Sequence, residues 1–171
     1  MLILVFITIT KEDMNRFSGA LLFFVFLSPL LIVQSCGEAN NDVIPDVSID
    51  FTIDLLDPEF VGLTAIGAVD TIDSSTNNWG FRSSGYDNNG IIIYSGPDEY
   101  YAFDRTCPHD FSENGLSVKV NVDASLAVCP VCGTSYALSA YGTPLSGPGR
   151  LPLKNYKTSF DGERYIRVWN N

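Results

Sequence analysis

Apolar and polar residues alternate with a period of two between residues 47 and 55. Every second position in this segment is apolar, and serine, threonine or aspartate fills each position between. The apolar residues are Val47, Ile49, Phe51, Ile53 and Leu55. A period of two places these side chains on one face, so the segment is predicted to form a half-buried β-strand.

Three later pairs of short apolar segments are each separated by turn residues. They are 91–94 with 100–103, 116–122 with 125–128, and 154–160 with 164–169. The turn Asp161-Gly162 in the last pair is typical of a two-residue β-hairpin. No window of 12 or more residues after position 36 has helical periodicity, so we predict an all-β fold.

A long segment, residues 73–89, is rich in serine, asparagine and glycine. This composition predicts an exposed loop. Its two aromatic residues, Trp79 and Phe81, are expected to fold back onto the sheet.

The first 35 residues are typical of a signal peptide. Two apolar runs, 1–10 and 20–33, are separated by charged residues, and the second contains 14 residues. A membrane-spanning helix needs about 20 apolar residues, so the second run fits the apolar part of a signal peptide instead. Arg16 would supply the basic start, which makes Met14 a better initiator than Met1.

The signal peptide ends in a sequence that resembles the bacterial lipobox. Val33-Gln34-Ser35-Cys36 has an aliphatic residue three positions before the cysteine and a small residue directly before it. We therefore predict that Cys36 is lipidated, that 36–46 is a polar linker and that 47–171 is the folded domain. The protein would be anchored to a membrane of the bacterial cell envelope, on the periplasmic side or at the outer membrane. The alternative is an ordinary cleaved signal peptide with an incidental cysteine.

Charge and histidine content exclude several classes of function. The chain has 10 basic and 20 acidic side chains, and its net charge of -10 argues against binding to nucleic acid. The single histidine, His109, excludes metal sites that need two or three imidazole ligands. Any site chemistry must depend on His109, the cysteines or the carboxylates.

Apart from Cys36, every cysteine and the only histidine lie in two short segments. Cys107-Pro108-His109 comes first, and Cys129-Pro130-Val131-Cys132 follows after 19 intervening residues. Together they supply four ligands, enough for one metal site. From spacing alone, a zinc site, a redox dithiol, or a Cys129–Cys132 or Cys107–Cys129 disulfide remain open. Asp110 is interpreted as a turn residue.

With a third segment, these motifs resemble the Rieske family of [2Fe-2S] proteins. Cys107-Pro108-His109 is similar to the family's first loop, and 129–136 is similar to its second loop. Residues 146–150, which contain Pro148, resemble the proline-containing loop that covers the cluster in this family. The resemblance extends over roughly residues 60–169.

The resemblance implies an antiparallel β-sandwich with a small cluster-binding subdomain of loops. It implies that Cys107 and Cys129 hold the inner iron of a [2Fe-2S] cluster, and that His109 and Cys132 hold the outer iron. Cys132 stands where the family has its second histidine, and thiolate is a competent ligand for such clusters. Around the cluster, Thr134 and Tyr136 would bond to sulfur and Pro148 would belong to the covering loop.

The implied function is electron transfer with an unidentified redox partner protein. A catalyst is not expected, because the family's oxygenases need a separate mononuclear iron domain and further histidines. The alternative is a structural or binding lipoprotein on the same scaffold, with Zn²⁺, a disulfide or no metal in place of the cluster.

The lipidation of Cys36 gives a first prediction. Cys36→Ser removes the thiol that carries the acyl chains, and stable anchoring needs more than one chain. We expect the variant to move from the membrane into the soluble envelope fraction, measured by detergent partitioning. Unchanged partitioning would contradict the lipoprotein interpretation.

Overall fold

The computed structural model describes residues 41–76 and 79–170. The predicted signal peptide with Met14, the lipidation site Cys36 and most of the linker lie outside the described residues. The described strands are β1 (Asp50–Asp54), β2 (Val69–Ile72), β3 (Ile91–Ser95), β4 (Tyr100–Asp104), β5 (Asn121–Asp123), β6 (Leu126–Val128), β7 (Ser135–Ala137), β8 (Thr143–Ser146), β9 (Asn155–Phe160) and β10 (Tyr165–Trp169).

The larger of two sheets has six strands in the order β1-β10-β9-β4-β3-β2, and every neighbouring pair is antiparallel. The predicted pairs β3–β4 and β9–β10 are confirmed as hairpin partners. β1 is confirmed as a half-buried strand, because Phe51 and Ile53 are buried while Thr52 between them is exposed.

The smaller sheet has four strands in the order β5-β6-β7-β8. Its first hairpin, β5–β6, lies where a strand pair was predicted, but the predicted strand 116–122 was too long. Only Asn121–Asp123 is a strand, with one isolated bridge from Lys119 to Thr106. Residues 115 and 116 instead close a helix, since the amide of Leu116 donates to the carbonyl of Asp110 at 3.2 Å.

Two apolar cores lie on opposite faces of the large sheet. Neighbouring residues of β3 alternate between them: Ile91 and Ile93 belong to one core and Ile92 to the other. The second core also contains Ala127 and Tyr136 of the small sheet, together with Cys107 and Cys129. The small sheet and the cysteine segments are therefore packed on one face of the large sheet. The prediction of an all-β antiparallel fold with a small subdomain of loops is confirmed.

In the part of the chain that the structure describes, one α-helix, α1 (Pro108–Asn114), interrupts the β structure directly after Cys107. It has seven residues, too few for the 12-residue window in which helical periodicity was sought. Proline suits the first helical position because its fixed φ fits the helix and its missing N–H has no partner to lose. Within the described ranges, no helix has the length and apolar character needed to cross a membrane.

The loop between β2 and β3 contains one four-residue and one three-residue 3-10 segment. Of its two aromatic side chains, one packs against the domain and the other is exposed to solvent. Trp79 stacks on Phe51 with ring centroids 5.2 Å apart and on Phe60 at 5.8 Å, as predicted. The same prediction for Phe81 was wrong, since this side chain is 69% exposed.

The N-terminal segment 41–46, predicted to be the end of a flexible linker, is packed against the domain through a buried lysine. Lys154 is 3% exposed, and its Nζ donates to the carbonyl oxygen of Ile44 at 3.0 Å and pairs with the Asp46 carboxylate at 2.8 Å. The Asn41 side chain donates to the carbonyl of Pro152 at 2.9 Å. Polar composition suggested a tether here, but Lys154 supplies the partners that hold this polar segment in place.

The aromatic stack gives a prediction about stability. Trp79→Ala removes the ring that stacks on Phe51 and Phe60. It should lower the free energy of unfolding by about 3 kcal/mol, which is the lower end of the usual cost of replacing a core Phe or Trp by Ala, because Trp79 is only half-buried. Phe81→Ala, two residues away, should change it by no more than about 0.5 kcal/mol because the ring is exposed. Urea denaturation of both variants measures the difference, and similar effects would contradict the packing of Trp79.

Candidate metal centre

Helix α1 positions the first cysteine and a carboxylate. Cys107 is the residue before the helix, and its amide donates to the carbonyl of Val118 at 2.8 Å. Its own carbonyl accepts the amide of Phe111 at 3.2 Å, the first bond of the helix. Asp110 lies three residues after Cys107, so the two side chains share one side of the first turn.

A tight turn between β6 and β7 positions the other two cysteines. The amide of Gly133 donates to the carbonyl of Cys129 at 3.1 Å, and the amide of Cys129 donates to the carbonyl of Thr134 at 2.9 Å. Gly133 has a φ of +73°, a left-handed conformation that favours glycine. The turn buries Cys129 and leaves Cys132 half-buried near its tip.

The third loop, 146–150, packs its backbone against the second. A Cβ at Gly147 would lie 2.6 Å from the Cα of Thr134, and one at Gly149 would lie 2.6 Å from its Cγ2. The amide of Gly149 donates to the Thr134 hydroxyl oxygen at 3.0 Å. Only glycine allows this approach, so the loop shields Thr134, which is completely buried.

These three segments bring three thiols and one carboxylate together. One ligand atom from each of Cys107, Asp110, Cys129 and Cys132 lies within 4.8 Å of all the others. The Cys107 and Cys132 sulfurs are 3.7 Å apart, and the Cys129 thiol donates to Asp110 Oδ2 at 2.8 Å. All three cysteines are free thiols, so neither disulfide of the alternative is present.

Two hydroxyl groups contact the thiols. The Tyr136 hydroxyl lies 3.4 Å from the Cys107 sulfur, and the Thr134 hydroxyl oxygen lies 3.2 Å from the Cys132 sulfur. The Gly149 amide already donates to that threonine oxygen, so the threonine O–H is free to donate to Cys132 once the thiol is ionised. The hydroxyl groups of Thr134 and Tyr136 therefore lie beside two of the three sulfurs. Pro148 lies in the loop 146–150 with its side chain exposed.

The surroundings favour the protonated thiols of Cys107 and Cys129 and the ionised carboxylate of Asp110. Burial raises the pKa of Cys107, opposed by hydrogen bonds from the Asp110 backbone and the Tyr136 hydroxyl. Burial and the Asp110 carboxylate raise the pKa of Cys129, while the backbone amides of Val131 and Cys132 favour its thiolate. Burial alone would raise the pKa of Asp110, but hydrogen bonds from the thiols outweigh it and lower that pKa.

The predicted ligand His109 does not belong to the group of four. Its ring nitrogens are not among the atoms that lie within 4.8 Å of one another, and the side chain is half-buried. The interpretation of Asp110 as a turn residue was wrong, because it lies in the first turn of α1 and is 2% exposed. Pro108 and Gly115, at the start and end of a seven-residue segment, were the signals that could have identified the helix.

The four residues fit a metal with tetrahedral coordination. Three sulfurs and one carboxylate oxygen are competent ligands for zinc and, in the case of sulfur, for iron–sulfur clusters. Two thiolates on one zinc ion, each at about 2.3 Å, would be separated by about 3.8 Å in a tetrahedron. The 3.7 Å between Cys107 and Cys132 agrees with this separation.

Comparisons with known proteins give weak likenesses. No protein-family model matches the chain. No curated protein matches it either. A chain from the complex of reduced oxygenase and oxidized ferredoxin in carbazole 1,9a-dioxygenase is 15% identical, covers 72% of this chain and 94% of its own length, and has a TM-score of 0.44.

Two ferredoxins are similar at a comparable level. The ferredoxin of carbazole 1,9a-dioxygenase from Nocardioides aromaticivorans IC177 is 19% identical, with coverages of 63% and 88% and a TM-score of 0.39. The Sphingomonas yanoikuyae B1 ferredoxin is 16% identical, with coverages of 48% and 76% and a TM-score of 0.35. At TM-scores below 0.5 these likenesses carry no weight for the function of this chain.

The burial of the thiols gives a prediction for the metal-free protein. Cys132 should react with a maleimide well before Cys107 and Cys129, because it is half-buried whereas they are 0% and 1% exposed and have raised pKa values. Mass spectrometry after short labelling identifies the modified residue, and the urea-unfolded protein serves as the control in which all cysteines react. First modification of Cys107 would contradict the arrangement.

Proposed function

We propose that the chain is a Rieske-like [2Fe-2S] electron-transfer protein of the cell envelope. Its ligands would include Cys107, Cys129 and Cys132, and it would be anchored to a membrane through lipidated Cys36. The observation that carries the proposal is the convergence of three free thiols, from two separate segments, on one buried point.

The surroundings of the thiols support a redox role. A [2Fe-2S] cluster supplies one-electron transfer when bound, and hydrogen bonds to its sulfurs adjust its reduction potential. Here Tyr136 contacts the Cys107 sulfur and Thr134 contacts the Cys132 sulfur. The backbone amides of Val131 and Cys132 also favour the thiolate of Cys129. These groups stabilise negative charge at all three sulfurs.

The exposure of one ligand supports exchange of electrons with a partner. Cys107 and Cys129 are buried, whereas Cys132 is half-buried and follows Val131, which is 64% exposed. Electrons would enter and leave through this side, where a redox partner protein can approach. The apolar Val131 side chain would contact that partner.

The separation of the sulfurs favours a second candidate, a single Zn²⁺ ion in a structural or binding lipoprotein. Two sulfurs bound to different irons of a cluster are farther apart than two sulfurs bound to one metal ion, because the separation of the two irons adds to the distance between the sulfurs. The resemblance assigns Cys107 and Cys132 to different irons, yet their sulfurs are 3.7 Å apart. A cluster would therefore require Cys132 to move outwards with the turn that carries it, whereas one zinc ion would not.

Metal content and colour distinguish these candidates. For protein purified without oxygen, we expect a coloured solution with two iron and two sulfide per chain, because a [2Fe-2S] core contains these atoms. Visible absorption, metal analysis and sulfide analysis provide the measurements. Colourless protein with one zinc per chain would establish the second candidate, and metal-free protein would contradict both.

Two cysteine variants separate a specific site from metal bound by any thiol. Cys107→Ser should abolish iron binding because it removes a buried ligand, whereas Cys36→Ser should retain the iron of the wild-type protein. Equal loss of iron in both variants would contradict a cluster held by the three converging cysteines.

A further inference from the structure

Asp110 carries a buried carboxylate that forms no ion pair with any described residue, although the nearby His109 contributes to lowering its pKa. It is 2% exposed, and within the described ranges no lysine, arginine or histidine nitrogen lies within 4.0 Å of it; the ion pairs found there join other residues. The Cys129 thiol donates a hydrogen bond to its Oδ2 at 2.8 Å. Burying a charge without a counter-ion is costly, so such a group is normally paired or bound to a metal.

Helical geometry aims this carboxylate, and not the histidine, at the sulfurs. Side chains three residues apart lie on the same side of a helix, whereas those two residues apart do not. Asp110 is three residues after Cys107 and His109 is two residues after it. In agreement, Asp110 belongs to the group of ligand atoms within 4.8 Å of one another, and His109 does not.

We propose that Asp110 is the fourth metal ligand and that His109 is not a ligand. The inference rests on the metal site of the proposed function and adds Asp110 to its three cysteines, in place of the His109 that the family resemblance implied. The site then offers three sulfurs and one carboxylate oxygen to the metal.

The ligand set has a chemical consequence. Three thiolates and a carboxylate bring four negative charges, whereas three thiolates and a neutral imidazole bring three. A dipositive centre, either Zn²⁺ or an oxidised [2Fe-2S] core, would therefore leave a net charge of −2 at the site instead of −1. A metal ion would place a positive charge in direct contact with Asp110, which forms no ion pair with a described residue.

Matched asparagine variants at neighbouring positions test the assignment. Asp110→Asn and His109→Asn introduce the same side chain at adjacent residues of α1. Apoprotein of each variant and of wild type is titrated with Co²⁺ without oxygen, and thiolate-to-cobalt absorption reports binding. We expect Asp110→Asn to weaken Co²⁺ binding by at least about 100-fold, since even loss of a ligand's supporting group costs 10- to 100-fold. His109→Asn should leave the affinity unchanged.

Stability of the apoprotein separates a ligand from a structural residue. The asparagine side chain in Asp110→Asn would retain the shape and an oxygen that accepts the Cys129 thiol, but would remove the buried charge. We therefore expect apo Asp110→Asn to unfold at the same or a higher urea concentration than apo wild type. A ligand role predicts weaker metal binding without loss of apo stability, whereas a purely structural role predicts lower apo stability.

X-ray absorption of the wild-type protein loaded with Co²⁺ gives a measurement that needs no variant. An imidazole ring produces a multiple-scattering signature, which we expect to be absent. That signature, or loss of Co²⁺ affinity in His109→Asn with retention in Asp110→Asn, would overturn the proposal. Co²⁺ binding requires neither iron nor electron transfer, so colourless native protein would contradict the electron carrier while leaving the test of Asp110 intact.

Discussion

The need to hold two buried thiols, a half-buried thiol and a buried carboxylate together at one point governs the structure around the candidate centre. Among the described residues no ion pair involves these groups, and Cys107, Asp110 and Cys129 are each at most 2% exposed. Such burial is tolerated only because the groups bond to one another and to Thr134 and Tyr136. This arrangement is held by the turn between β6 and β7, by α1, and by the loop 146–150 that packs against Thr134.

The two sheets provide the rigidity that the loops need. Cys107 and Cys129 belong to the same apolar core as Ile92 and Phe103 of the large sheet, so the inner side of the site is continuous with the packing of the domain. The outer side depends on the approach of Gly147 and Gly149 to Thr134. One half of the centre is thus fixed by a hydrophobic core, and the other half by close contact between backbones.

Sequence patterns predicted most of the described strands because alternation and turn residues are local signals, but the short strands β2, β7 and β8 were not predicted. The β1 face, the β3–β4 hairpin and the β9–β10 hairpin follow from such patterns. The grouping of the cysteines in two segments is visible in the sequence, whereas the positions of Thr134 and Tyr136 beside the sulfurs were implied only by the family resemblance. The position of Asp110 beside the thiols was not predicted. It depends on a helix too short to show periodicity and on the burial of a carboxylate, and local sequence patterns do not indicate such burial. The packing of 41–46 was missed for a similar reason: its partner Lys154 is more than 100 residues away in sequence.

Attachment of the chain through Lys154 limits how far the domain can move from an anchor. Since the segment is held to the domain from Asn41 onward, only residues 36–40 would separate a lipid on Cys36, as we propose, from the packed part of the chain. Five extended residues span at most roughly 18 Å. The domain would then search for its partner in two dimensions along the membrane surface, and a partner whose docking site projects far from that membrane would be out of reach.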